Sequence, residues 1–251
     1  MKLITRSTIS ILIISLLFSC KKKETTSTTD LLKPIKFNST ITYGQVTDIE
    51  GNTYKTLKIG SKTWMAENLK TSKFNDGTPI QNITEKNQWA NSPTSAWCYF
   101  DNDSKYNDVY GKLYNQYVIK NKNVCPTGWH IPNAIDWDNM IGYQYSGISI
   151  NYIEAESLHW IYPQSGDGKY SDIYNDYNKT GFTAIPAGIR LMGDFSGLIP
   201  DKYYHQKTGW WSQDTSDNGY QKMEIMEKIS FQSNLDIYFK DYGLSIRCVQ
   251  N

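Results

Sequence analysis

The chain has 251 residues, a formal net charge of +1 and 20% charged residues. That near-neutral balance carries no electrostatic footprint for nucleic acid. Tyrosine (19) and tryptophan (8) are plentiful while histidine (3) is scarce, which favours aromatic packing or surface stacking over histidine chemistry.

The amino terminus reads as an address. Lys2 and Arg6 precede an apolar run over residues 9–18, followed by Ser19 and Cys20. The run is shorter than the roughly 20 apolar residues that span a bilayer. The small residue before the cysteine resembles the lipobox of bacterial lipoproteins. Residues 1–19 are therefore expected to be a signal peptide, cleaved so that Cys20 becomes the lipidated amino terminus. Acyl chains on Cys20 would hold the protein on a membrane without spanning it, and the outer membrane is the expected location, on either face. Residues 20–37 contain Lys21, Lys22 and Lys23, a Thr/Ser tract and Pro34; they read as a flexible tether. Residues 38–251 then form a single domain, near the upper size for one core.

Within that domain β-prone runs come first. Residues 43–47 and 53–59 are joined by the turn-forming Asp48-Ile49-Glu50-Gly51-Asn52, and Gly60-Ser61 leads into residues 62–66. Glycine in a two-residue loop between such runs predicts a hairpin. A further apolar run covers 96–100, ending at Asp101-Asn102-Asp103, and an aromatic one covers 110–117. The aspartates open like a calcium loop, but Lys112 occupies the twelfth position where an EF-hand needs glutamate. A plain turn at Asp101, Asp103 and Asp108 is the expectation, with no metal site.

The main helix begins after Asn133, which can cap it, with Asp136 three residues on to complete a capping box. Trp137, Met140 and Ile141 form its buried stripe, and Gly142 is expected to end it. A shorter helix is expected over 153–160 and irregular loop over 164–179. Late strands are expected at 181–185, 209–212, 228–232, 237–240 and 243–249. Strands on both sides of a central helix predict an α+β domain with antiparallel sheets and long irregular loops.

A family resemblance rests on ordered motifs. These are Thr63-Trp64-Met65-Ala66-Glu67-Asn68-Leu69, Ala96-Trp97-Cys98-Tyr99-Phe100-Asp101 and Tyr110-Gly111-Lys112-Leu113-Tyr114-Asn115. Then come Cys125-Pro126-Thr127-Gly128-Trp129-His130-Ile131-Pro132 with Asp136-Trp137, and Gly181-Phe182-Thr183-Ala184-Ile185-Pro186-Ala187-Gly188. Phe195, Trp210-Trp211-Ser212 and Gly243-Leu244-Ser245-Ile246-Arg247-Cys248-Val249 complete the set. From about Thr42 onward the chain resembles the Fibrobacter succinogenes major paralogous domain, found in bacterial surface and secreted lipoproteins. That pattern in turn resembles the C-type-lectin-like fold, shared with the formylglycine-generating enzyme group. The resemblance implies a scaffold but no activity. It implies burial of Trp64, Trp129, Trp137 and Trp211. It also implies a bridge between Cys125, beside the main helix, and Cys248, on the last strand, with Cys98 left as a small buried apolar residue; three reduced, buried thiols are the alternative.

No GxSxG, HExxH or paired-cysteine nucleophile motif occurs, so no catalytic residue and no cofactor is assigned. His130, between apolar residues in a turn, reads as a hydrogen-bonded structural histidine. The expected function is a non-catalytic binding or adhesion module for a glycan or protein ligand. The alternatives are a structural envelope component without a small ligand and, behind it, an enzyme on the formylglycine-generating scaffold. Tyr162, Tyr170, Tyr174 and Tyr177, in a polar stretch without periodicity, are the expected ligand contacts.

Overall fold

The structure is a computed structural model that describes residues 30–120, 124–145, 160, 178–197, 206–217, 221–227, 230–236 and 241–251. The first hairpins form where turn chemistry and alternation place them. Strands β1 (Gly44–Thr47), β2 (Thr53–Ile59) and β3 (Lys62–Met65) pair antiparallel in sequence. Along β2, Thr53 and Lys55 face out while Tyr54 and Thr56 are buried, and after Thr56 the buried face switches to Leu57 and Ile59 with Lys58 outward. Each half alternates with period two, Tyr54 packing into one cluster and Leu57 and Ile59 into another. The β1–β2 turn is closed by Asp48, whose Oδ1 accepts from the amides of Glu50 and Asn52, both at 2.9 Å.

Short elements follow. They are β4 (Gln81–Asn82), α1 (Lys86–Asn91), β5 (Ala96–Cys98), α2 (Asn107–Tyr110), β6 (Leu113–Tyr114), α3 (Gln116–Lys120) and β7 (Trp129–His130). Helix α4 (Ala134–Tyr145) is the longest described. Its capping box is reciprocal: the Asp136 amide donates to Asn133 Oδ1 at 2.9 Å and the Asn133 amide to Asp136 Oδ2 at 3.1 Å. Trp137 and Met140 are buried as the stripe requires. The helix does not end at Gly142 but runs on to Tyr145. An interior glycine costs only about 1 kcal/mol relative to alanine, too little to terminate a packed helix.

The last third is β8 (Ile189–Leu191), β9 (Asp194–Ser196), β10 (Lys207–Thr215), β11 (Gln221–Glu227), β12 (Ser230–Asp236) and β13 (Val249–Gln250). The described strands group into a five-stranded sheet in the order β1-β2-β3-β13-β7, three-stranded sheets β10-β11-β12 and β4-β5-β6, and the β8–β9 hairpin. Only the β4–β5 pairing is parallel within these sheets. The chain is thus a mixed α+β domain with mostly antiparallel sheets and short helices.

Several expected strands are corrected. Residues 181–185 form no ladder, because Thr183 takes a left-handed conformation (φ 59°) and its amide donates to Asn178 Oδ1. The β8–β9 hairpin and β11 were not expected, and β10 extends beyond 209–212. A strand does occupy the region of 228–232, but as β12, while residues 237–240 and the helix expected over 153–160, apart from Trp160, lie outside the described residues. Residues 243–249 are not one strand. Gly243, Leu244 and Ser245 make single bridges to Arg190, Tyr114 and Trp210, and Val249 then pairs with both Trp64 and His130. The carboxy-terminal segment is a keystone threaded between sheets.

Core residues divide among three clusters. One holds Trp64, Trp137, Trp160, Phe182 and Trp210; another holds Tyr114, Trp211, Ile246 and the two bridging cysteines; the third gathers Phe100, Tyr106 and Tyr110. Trp129, expected in the core, is only half-buried because it lies at the sheet margin on β7. The tether expectation for 20–37 is also corrected at its end. Leu31 is buried, its carbonyl accepts from the Tyr110 hydroxyl at 2.9 Å, and Leu32, Ile35 and Phe37 pack on the core. Gly188 explains one motif glycine: at φ +70° a Cβ would lie 2.3 Å from the Phe100 ring.

Candidate functional site

The motif residues are committed to structure. Asn68, just past β3, accepts at Oδ1 from Arg247 Nε (2.8 Å) and Trp210 Nε1 (3.0 Å), and donates through Nδ2 to the Tyr110 carbonyl and Ser245 Oγ. Arg247 is fully buried and also donates to the carbonyls of Phe182 and Thr183. Its guanidinium lies 4.3 Å from the Phe182 ring centroid. Burial pulls its pKa down to about 9, against the opposing fields of Glu67 and Tyr43. A second buried arginine, Arg190, donates to the carbonyls of Gly193, Ile83 and Thr84 and sits over Trp89. Both side chains tie irregular backbone segments together by filling carbonyls that no ladder satisfies.

Cys125 and Cys248 are bonded, with Cα atoms 5.9 Å apart. Cys98 is free and buried; burial pushes its thiol up to about 12, with Arg190 opposing. Such a thiol is inert rather than nucleophilic. His130 spends both ring nitrogens on neighbours, Nε2 on Asp136 Oδ2 at 3.0 Å and Nδ1 on Asn251 Oδ1 at 2.6 Å. It joins the α4 amino terminus to the chain end. Asp101 adopts φ 52° and Asp103 caps a single turn at the Lys105 amide. Among the described residues no three potential ligands gather around a metal position.

Lys112 is a lysine drawn into the interior. It is buried, donates to the Lys70 carbonyl and to Asn107 Oδ1, and lies 4.7 Å from the Trp97 ring centroid. Burial lowers its pKa to about 8, opposed by the carboxylates of Glu50 and Asp48.

The described surface also holds an open recess of about 450 Å³, lined by Tyr43, Gly44, Gln45, Thr53, Lys55 and Glu67. β1 and β2 position it: Gln45 lies directly opposite Lys55 across the hairpin. The Lys55 ammonium stands 5.1 Å from the Phe37 ring centroid and 5.6 Å from that of Tyr43. Those rings meet edge to face at 5.4 Å. The Tyr43 hydroxyl donates to the Gly181 carbonyl, and burial raises its pKa. Glu67 accepts from the Lys55 amide at 2.7 Å and lies 3.5 Å from the Lys70 ammonium. The recess therefore combines an aromatic edge, an amide, a hydroxyl and both signs of charge on a sheet.

Of the sites expected from sequence, the structure joins Cys125 to Cys248. Cys20, Tyr162, Tyr170, Tyr174 and Tyr177 lie outside the described residues. The recess was missed, although outward alternation at Thr53 and Lys55 was a readable signal. Among the described residues no helix is long and apolar enough to cross a membrane.

Residues 57–250 match the Fibrobacter succinogenes major domain. The chain belongs to that family. Neither the curated proteins nor the solved structures contain a match.

Proposed function

We propose that this protein is a lipid-anchored binding module of the cell envelope, built on a C-type-lectin-like scaffold and working without catalysis. The observation that carries the reading is the recess beside Tyr43. Its volume falls in the range of small-ligand sites rather than of flat protein interfaces. A glycan is the ligand class that suits an aromatic edge surrounded by amide, hydroxyl and charged groups. The scaffold assignment is supported by the bridge from the helix side to the carboxy-terminal segment. The engaged nitrogens of His130 and the buried Cys98 thiol favour binding over chemistry. Cys20 supplies the anchor, and the outer membrane is the proposed location.

The test is a glycan and cell-wall-polymer screen on the full chain in detergent. Binding lost in Tyr43→Ala and retained when Tyr162, Tyr170, Tyr174 and Tyr177 are all serine supports the recess. The reverse pattern moves the site to those tyrosines, and no binding to any polymer refutes the module. Cys20→Ala should leave the membrane fraction; a variant retained after high-salt washing removes lipid as the anchor.

A further inference from the structure

We infer that the recess selects a carboxylate-bearing saccharide, a uronic acid unit, with Lys55 as the residue that reads the charge; this rests on the recess being the ligand site. The charge count around the cavity carries it. Glu67 is the carboxylate in the wall, and it is already compensated by the Lys55 amide, the Lys70 ammonium and the field of buried Arg247. The Lys55 ammonium is not compensated: among the described residues no carboxylate lies within 4.0 Å of it. It is instead held near the rings of Phe37 and Tyr43. A cation resting on aromatic rings keeps its charge available to an incoming anion while losing some of its mobility. The Lys55 ammonium in the wall, together with the Lys70 ammonium and Arg247 guanidinium that act on Glu67, outweighs one carboxylate, so a monoanion gains where a cation would be repelled.

The donor set argues for a carboxylate over a sulfate or phosphate. The recess offers a single lysine point charge with Glu67 nearby, which suits one negative charge better than a phosphate dianion or a run of sulfates, whose further charges would meet Glu67 unpaired. A densely charged polyanion would meet Glu67 as well as Lys55. A uronate places one charge per ring and leaves hydroxyls for Gln45, Thr53 and Glu67. An acidic peptide would carry the same charge but no ring hydroxyls for those groups.

The experiment compares polygalacturonate oligosaccharides with their methyl esters, which keep the ring and remove the charge. Dextran sulfate and polyglutamate serve as the sulfate and peptide probes. The full chain in detergent should bind the acid roughly fivefold more tightly than the ester, the scale of one partly exposed ion pair, with the preference shrinking as salt rises. Lys55→Met, which keeps the stem over the rings, should equalise acid and ester, and Tyr43→Ala should weaken both. Equal binding of acid and ester by the natural chain overturns the inference, as does a preference that survives Lys55→Met. Tighter binding of dextran sulfate or polyglutamate overturns it too. Tyr43-dependent binding of neutral glycans alone would sink the charge reading and leave the binding module standing; no binding to any probe would sink both.

Discussion

Trp137 offers the sharpest test of the core. It is fully buried, with ring centroids at 5.0 Å from Trp64, 5.9 Å from Trp210 and 6.3 Å from Phe182. No acceptor among the described residues reaches its indole N–H. Two substitutions separate the apolar from the polar contribution. Trp137→Ala removes the whole ring and should cost about 3–5 kcal/mol, from lost burial and the residual cavity. For a domain of this size that is roughly 6–20 °C in Tm. Trp137→Phe leaves a void of only about 40 Å³, worth about 1 kcal/mol at ~24 cal/mol per Å³. It also removes a buried donor whose unsatisfied state costs about 1–3 kcal/mol. The phenylalanine variant should therefore equal the natural protein or exceed it by up to about 2 kcal/mol in urea unfolding monitored by circular dichroism. A phenylalanine variant as unstable as the alanine variant would show that the N–H is partnered, and an alanine variant with unchanged Tm would place Trp137 outside the cooperative core.

Further expectations concern the bridge and the buried lysine. The Cys125–Cys248 bond closes a separation of 123 residues, so Cys125→Ala with Cys248→Ala should lose up to about 5 kcal/mol if unfolded-chain entropy governs. Non-reducing peptide mapping should find that pair joined and Cys98 alkylated only after denaturation; Cys98 in the linkage would reverse the assignment. Lys112 has a folded pKa of about 8 against an ordinary 10.5. Between those values the unfolded chain holds a proton that the folded chain has released, so this group's contribution to stability rises with pH across that window. The Tm of the natural protein relative to Lys112→Met should climb from pH 8 to 10.5, and a pH-independent difference would mean that Lys112 is solvated.

Legibility in the sequence followed locality. The β1–β2–β3 meander and the α4 cap were readable because Asp48, Gly60, Asn133 and Asp136 act within a few residues of themselves. The end of α4 was not, since tertiary packing overrides one glycine's propensity. Residues 181–185 look β-prone, yet Asn178 offers the Thr183 amide a side-chain acceptor in place of a ladder, a competition no hydrophobic pattern reports. The carboxy-terminal segment misled in the same way: its apolar run is buried between sheets and bridges one residue at a time. Burial of Arg190 and Arg247 carried no signal at all, because their acceptors lie 106 to 107 and 64 to 65 residues away on other segments for the carbonyls at Ile83, Thr84, Phe182 and Thr183.

The division of labour follows from where hydrogen-bonding capacity is already used. Asn68, Arg247 and Trp210 spend their polar atoms on one another and on backbone carbonyls, and the Tyr114 hydroxyl is held by the Thr71 carbonyl. Residues so engaged have little left to offer a ligand without unfolding what they support. The recess is built differently. Tyr43, Gly44, Gln45, Thr53 and Lys55 precede residue 57, where the family region begins, and only Glu67 falls inside it. The framework fixes the position of an amino-terminal hairpin whose outward side chains at Gln45, Thr53 and Lys55 are exposed. Under the binding reading proposed above, exchanging Gln45, Thr53 and Lys55 together should change ligand preference in a glycan screen while leaving Tm nearly unchanged, since exposed strand positions contribute little to stability. A large loss of stability in that triple variant would show that the hairpin is part of the framework and that selectivity must reside elsewhere.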